Sequence, residues 1–138
     1  MSDENVENVE IVRRLYNSAW MSGDFDLLPN ILHPDIVWSA IESAPDAGTR
    51  QGYAGCRAYM EDWLEDFNLQ PVMIEPSATT KDGLLVCSQR AVATGKGSGI
   101  QTEIRYGCTY RFSADGRIRE IREYATTEEA LEAAGLSE

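Results

Sequence analysis

The feature of this sequence that most constrains its fold is a long alternation of side chains over residues 99–112. Most even-numbered positions there are apolar or aromatic, and most odd-numbered positions are polar or charged. Because successive side chains of a strand point to opposite faces of a sheet, this pattern predicts a strand with one core-facing side. The predicted inner face carries Tyr106, Cys108 and Tyr110, and the outer face carries Arg105, Gly107 and Thr109.

The order of the other elements predicts the fold class. Helices come first, then strands, then one short helix, which is typical of an α+β domain with an antiparallel sheet. No repeat or long linker interrupts the chain, so residues 1–138 are expected to form a single domain. Helices are predicted at 5–21, within 24–32, at 53–68 and after 124, and strands at 36–38, 69–79, 84–94, 99–112 and 117–124.

Two helix boundaries have clear signals. Ser22-Gly23 should end the first helix, because glycine readily takes the left-handed conformation of a helix stop. Thr126 and Glu129 have the spacing of a capping box at the start of the last helix, and Gly135 is suited to end it.

Composition excludes several classes of function. The formal net charge of −11 makes nucleic acid an unlikely partner, because the phosphate backbone is also negative. No apolar run approaches the ~20 residues that cross a membrane, and the acidic N-terminus has no signal-peptide pattern, so we expect a cytoplasmic protein. His33 is the only histidine, and the three cysteines form no metal-binding pattern, so no metal site is expected.

The residues expected on the inner surface predict a ligand pocket. A core that only needs filling favours aliphatic side chains, whereas tyrosine and tryptophan bring polar atoms that need partners. Aromatic side chains with a few polar groups are typical of small-molecule sites, and the predicted ligand is small and hydrophobic or semi-polar. Beside Tyr16, the candidate ligand-binding residues are Trp20, Trp38, Met60, Trp63, Tyr106, Cys108, Tyr110 and Tyr124.

Several short segments resemble the SnoaL-like polyketide cyclase family, within the superfamily that contains nuclear transport factor 2 and ketosteroid isomerase. They are Ser22-Gly23-Asp24-Phe25-Asp26, His33-Pro34-Asp35-Ile36-Val37-Trp38, Arg50-Gln51-Gly52, and the stretch from Asp115-Gly116-Arg117-Ile118 to Glu123-Tyr124. The resemblance implies a cone-shaped curved sheet wrapped around the N-terminal helices. It also implies acid–base chemistry without a cofactor on ring ketones or polyketides.

The same resemblance argues against the isomerase mechanism itself. Ketosteroid isomerases place a tyrosine on the first helix, a carboxylate base on the first strand and a carboxylic acid on a later strand. Tyr16 matches the tyrosine, but Ala40 occupies the position of the base and Cys108 that of the acid. A methyl group cannot accept a proton, and a thiol is a weak donor.

Two other residues are candidates for catalysis. If Trp38 points inward, alternation directs Glu42 the same way, although a loop glutamate is more often solvated. Arg90 lies on a predicted strand for which the sequence does not decide which face points inward. Either Val86, Ser88, Arg90 and Val92 point inward, or Cys87, Gln89 and Ala91 do.

Three functions are compatible with these patterns. The chain can be an enzyme that moves protons on a ring compound, a non-catalytic binding module, or a dimerisation domain. We expect a homodimer, because the outer sheet face carries Gln101, Gly107 and Thr109 among its charges and sheets in this superfamily commonly pair back to back.

Overall fold

The computed structural model describes residues 3–41 and 48–136. The helices are α1 (Asp3–Arg14), continued by a π-helix (Leu15–Trp20), a 3₁₀ turn (Phe25–Leu27), α2 (Leu28–Ile31), α3 (Gly52–Asp66) and α4 (Thr127–Ala133). The strands are β1 (Leu32–Ser39), β2 (Thr49–Gln51), β3 (Phe67–Leu69), β4 (Met73–Thr79), β5 (Leu85–Gly95), β6 (Gln101–Phe112) and β7 (Ile118–Tyr124).

The strands form one curved, unclosed sheet in the order β2-β1-β7-β6-β5-β3, with β4 also paired to β5. The described pairings are antiparallel except that of β1 with β7, which are parallel. A parallel pair requires a long crossover, and here nearly the whole sheet and α3 lie between the two strands in sequence. The predicted α+β class and cone-shaped sheet around N-terminal helices are confirmed.

The first helix changes type where it reaches the core. Its last turns form a π-helix that buries Leu15, Tyr16, Ala19 and Trp20. The helix then stops as predicted at Gly23, which has φ +68°, and the Gly23 N–H donates to the Trp20 carbonyl oxygen at 3.0 Å. The π-helix was not predicted, because the sequence pattern does not distinguish it from an α-helix.

Several predicted boundaries need correction. The first strand begins at Leu32, before the predicted start at residue 36, and the His33 Nδ1 accepts a hydrogen bond from the Asp35 N–H at 3.0 Å. The predicted strand 69–79 is two strands, because Pro71 lies between β3 and β4 and lacks a donor for a sheet ladder. The third helix ends at Asp66, and Phe67 begins β3.

Helix α4 packs on the outer, convex face of the sheet. A Cβ atom on Gly107 would lie 2.7 Å from the Thr127 Cα, so only glycine allows this close approach. The Thr127 hydroxyl also donates to the Ser88 Oγ at 3.1 Å. The capping prediction holds, since the Thr126 Oγ1 accepts from the Glu129 N–H at 3.1 Å.

This position of α4 corrects the predicted dimer surface. Gly107 and Thr109 do lie on the outer face, but Gly107 packs against α4 and Thr109 is only 3% exposed. That part of the outer face is therefore covered by the chain's own last helix. The concave face holds the main core, to which α1, the π-helix, α2 and α3 contribute.

Candidate functional site

A cavity of about 250 Å³ lies between the helices and the concave face of the sheet. Aliphatic side chains of β5 and β6 form one wall, and residues of the π-helix and α3 form the other. Its volume is close to the lower end of small-molecule pockets, which begin at about 300 Å³. The aromatic residues that line it are Tyr16, Trp20, Tyr59, Trp63 and Tyr106.

Four aromatic rings form a rigid cluster at one side of the cavity. Trp38 lies edge-on to Tyr16, Trp20 and Tyr59, with ring centroids 6.1, 5.7 and 5.4 Å away. The Trp20 Nε1 donates to the Met60 carbonyl oxygen at 3.1 Å, which fixes the indole between the π-helix and α3. Edge-to-face packing of this kind stabilises each pair by ~0.5–1.5 kcal/mol beyond the burial of area.

Glu123 provides the carboxylate of this site. It lines the cavity from β7, where it lies opposite Cys108 of β6. The Trp38 Nε1 donates to its Oε2 at 3.1 Å, and the Tyr59 hydroxyl donates to its Oε1 at 3.3 Å. Two donors from two elements therefore orient the carboxylate in a mostly apolar cavity, where a charge interacts more strongly than in water.

A chain of buried hydrogen bonds runs beside Glu123, between β5, β6 and the π-helix. The Tyr16 and Tyr110 hydroxyl oxygens are 3.0 Å apart, and Tyr110 is bonded in turn to the Gln89 Oε1. The Gln89 Nε2 donates to the Tyr106 hydroxyl oxygen at 3.0 Å. Tyr16 and Tyr106, the two ends of this hydrogen-bonded chain, are the members that line the cavity.

Burial keeps these groups neutral. It raises the pKa of Tyr16, Tyr106 and Tyr110 well above the ordinary tyrosine value, and it raises the pKa of Cys108 in the same way. The negative charge of Glu123 raises the pKa of Tyr16, Tyr106 and Cys108 further, because a second anion nearby is unfavourable. At neutral pH the cavity thus presents neutral hydroxyl groups.

Most of the residues predicted for the site lie together. Tyr16, Trp20, Trp63 and Tyr106 line the cavity. Directly behind them, with no more than 1% of their surface exposed, are Trp38, Met60, Cys108 and Tyr110.

Two predicted residues lie elsewhere. Arg90 points to the outer face, where its Nε is 3.1 Å from the Glu103 Oε1, because β5 turns Cys87, Gln89 and Ala91 inward. Tyr124 follows the inward Glu123 directly and is paired with Gly107 on the outer face of β6, so it points outward. It lines a groove on that side of the sheet instead. Glu42 lies outside the described residues.

Sequence reasoning missed Glu123, Gln89 and Tyr59. The register gives the signal for Glu123: once Tyr110 is inward, its partner Ile121 and then Glu123 follow on the same face. Tyr59 stands three residues after Cys56 on the predicted apolar stripe of α3, which is helical spacing.

Within residues 3–41 and 48–136, no group of three or more His, Cys, Asp or Glu side chains is arranged to hold a metal ion. Over the same ranges, no helix is both long and apolar enough to span a membrane.

Comparison with solved structures relates the fold to known proteins. A candidate isomerase from Bacillus subtilis superposes with a TM-score of 0.74 at 17% identity, over 99% of this chain and 98% of that one. The Δ5-3-ketosteroid isomerase from a Mycobacterium species gives 0.70 at 22% identity, over 86% and 92%. A computationally designed 17-OHP binder gives 0.71 at 19% identity, over 86% and 92%.

These likenesses establish the fold, and sequence comparison establishes the family. No curated protein matches the chain in sequence. The sequence model of the SnoaL-like domain matches residues 12–121, which is well over half of the chain. This protein therefore belongs to the SnoaL-like domain family.

Proposed function

We propose that this protein binds a ring compound of one or two fused rings that carries a carbonyl group, and moves a proton on it by using Glu123. The observation that carries the proposal is a carboxylate, oriented by two donors, in an otherwise mostly apolar cavity that the neutral Tyr16 and Tyr106 also line. Such a pairing of a base with oxygen-binding donors is what enolisation requires.

The proposed reaction is acid–base chemistry at the carbon next to the carbonyl. Glu123 takes a proton from that carbon, the C–H electron pair forms a carbon–carbon double bond, and the π pair of the carbonyl moves to its oxygen. A hydroxyl from the Tyr16–Tyr106 wall donates to the resulting enolate oxygen. Return of the proton to another carbon gives an isomer. Attack of the enolate carbon on a second carbonyl forms a carbon–carbon bond, and the resulting alkoxide takes the proton from Glu123 to give a cyclised alcohol. This chemistry uses side chains of the protein alone.

Family and fold support this proposal without specifying it. The chain belongs to the SnoaL-like family, and its structural neighbours include a ketosteroid isomerase and a designed steroid binder. Its residues differ from the isomerase arrangement, because Ala40 and Cys108 occupy the two positions where that enzyme has carboxyl groups. We therefore assign the base to β7 rather than to β1.

A non-catalytic binding module is the second candidate. The observation that favours it is that both isomerase-type carboxyl positions are replaced, by Ala40 and Cys108. A binder needs the same cavity and the same hydroxyl wall, so ligand binding supports both candidates. Only a test of proton transfer separates them.

Tryptophan fluorescence tests the shared part of the proposal, because Trp20 and Trp63 line the cavity. Titration with the aryl ketone 1-tetralone should quench the emission saturably. Ala91→Leu places a larger side chain in the cavity wall and should weaken binding by about tenfold or more, since overpacking costs ~1–3 kcal/mol. Ala133→Leu, on an exposed position of α4, is the matched control and should bind as the wild type does.

Equal affinity of the Ala91→Leu and Ala133→Leu variants would show that the ketone binds elsewhere. Non-saturable quenching of the wild type would mean that the cavity does not hold such a ring.

A further inference from the structure

Gln89 occupies an unusual position in the buried hydrogen-bond chain. It is only 2% exposed, on the inner face of β5, and it connects Tyr110 to Tyr106 through the two ends of its amide. A hydroxyl has one proton to donate and can also accept, whereas an amide oxygen can only accept and an amide nitrogen can only donate. Gln89 therefore determines the direction of every bond in the chain.

Counting the protons gives that direction. The Gln89 Oε1 must accept, so Tyr110 spends its only hydroxyl proton on that bond. Tyr16 must then donate to the Tyr110 oxygen, across the distance of 3.0 Å between them. At the other end the Gln89 Nε2 donates to Tyr106, whose own proton remains available to the cavity.

The two ends of the chain therefore differ. Tyr106 can donate to a ligand, while Tyr16, whose proton is already used, can accept from one. If the Gln89 amide rotates by half a turn, every bond reverses, and Tyr16 becomes the donor while Tyr106 becomes the acceptor. In both orientations the cavity presents one donor hydroxyl and one acceptor hydroxyl.

We propose that Gln89 is a specificity-determining residue that selects ring compounds bearing both a hydrogen-bond acceptor and a hydroxyl, such as hydroxy ketones and the enol forms of diketones. The proposal rests on the proposed function of the cavity, and it names the ligand class of that same cavity. A ligand with only a carbonyl satisfies one end of the chain and leaves the other end unpaired in a buried site.

The probes are four bicyclic compounds of similar shape: tetralin, 1-tetralone, 2-hydroxy-1-tetralone and 4-hydroxy-1-tetralone. The wild type should bind at least one of the two hydroxy ketones about threefold to tenfold more tightly than 1-tetralone, which corresponds to one additional net hydrogen bond. Tetralin should bind most weakly. Dissociation constants are measured by the quenching of tryptophan fluorescence.

Two variants interrupt the buried hydrogen-bonded chain at different points. Gln89→Leu removes the amide, and Tyr110→Phe releases the Tyr16 proton, so in both variants the hydroxyl ends no longer form a fixed donor–acceptor pair. Both should lose the preference for the hydroxy ketone over 1-tetralone. Tyr53→Phe is the control, because its hydroxyl donates to the Leu32 carbonyl oxygen outside the cavity, and it should keep the wild-type preference.

A ligand-free measurement supports the binding series. In the wild type, the side-chain amide protons of ¹⁵N-labelled Gln89 should exchange with solvent far more slowly than those of exposed glutamines. Rapid exchange of this amide overturns the proposal even if Gln89→Leu fails to fold.

The other outcomes are equally decisive. The role of Gln89 is overturned if the wild type shows no preference for either hydroxy ketone. It is also overturned if Gln89→Leu and Tyr110→Phe fold and keep the preference. Both outcomes leave the proposed function intact. Failure of all four probes to bind overturns both proposals.

Discussion

Among the single residues of the site, Tyr16 contacts both the aromatic cluster and the buried hydrogen-bonded chain. Its ring packs against Trp20 and Trp38, and its hydroxyl bonds Tyr110 at one end of the buried chain. The sequence predicted its inward position from helical spacing, and the structure places it at the cavity. Its proposed role is therefore to contact the ligand, in addition to filling the core.

Removing the Tyr16 hydroxyl should weaken ligand binding more than it weakens the fold. In Tyr16→Phe, the Tyr110 hydroxyl keeps its bond to Gln89, so unfolding should cost only ~1 kcal/mol less than in the wild type. The affinity for the preferred hydroxy-tetralone should fall about threefold to tenfold. Thermal melting and fluorescence titration measure the two effects, and Tyr53→Phe serves as control. An unchanged affinity would exclude Tyr16 from the site.

The buried tyrosines also predict how stability depends on pH. Their pKa values are raised in the folded state by burial, so above about pH 10 the unfolded chain loses protons that the folded chain keeps. The contribution of these tyrosines to the free energy of unfolding should therefore be constant below that pH and fall as pH rises above it.

Burial raises the pKa of Cys56 and of Cys87 from 9.0 to about 12, which should start this decline near pH 9. Urea unfolding at pH 7, 9 and 10.5 measures the decline. Absorbance at 295 nm should show that at least three of the six tyrosines ionise only when the protein unfolds. Ionisation of all six before unfolding would contradict the buried hydroxyl chain.

Among the elements, β5 and β7 show why parts of the site could not be predicted. Both faces of β5 are buried, with Val86 and Cys87 each fully covered, because α4 packs on the outer face and the core on the inner. Hydrophobic alternation therefore does not identify the inward face, and Gln89 could not be separated from Arg90. The pairing of β7 with β6 shifts register between Arg111 and Phe112, which changes which residues of β7 point inward before Glu123 is reached. A sequence does not indicate such a bulge, so the inward position of Glu123 could not be predicted.

Other elements were predictable because their signals are local. The stop at Gly23, the cap at Thr126 and the alternation of β6 depend on residues within a few positions of one another. The parallel contact of β1 with β7 depends on residues far apart in the chain, and no local pattern indicates it.

The contact between α4 and β6 gives a prediction at this scale. In Gly107→Ala, the new methyl group would meet the Thr127 Cα at 2.7 Å and the Thr126 carbonyl oxygen at 2.8 Å, so the helix must shift. The variant should lose ~1–3 kcal/mol of unfolding free energy in urea. Gly97→Ala, with no atom within 4 Å of the added carbon, is the control and should be near neutral. Equal stability of the two variants would mean that α4 does not dock there.

For the whole molecule, the predicted homodimer now has a smaller surface available. Helix α4 covers the region around Gly107, which leaves the outer face beyond it, where Arg90 and Glu103 form an ion pair beside the exposed Met73. We expect sedimentation equilibrium at micromolar concentration to give twice the mass of one chain, and Met73→Glu to shift the mass towards the monomer. A wild-type mass of 15.3 kDa would rule out the dimer.

Hydrogen–deuterium exchange tests directly whether Glu123 moves protons on a ketone bound in the cavity, and it requires no knowledge of the natural substrate. The protein is incubated with 2-tetralone in D₂O, and loss of the proton signals next to the carbonyl is followed by NMR. The wild type should accelerate exchange over buffer, and Glu123→Gln should lose ~10²- to 10⁴-fold of that acceleration while still binding the ketone. Exchange at the wild-type rate in Glu123→Gln would contradict the account.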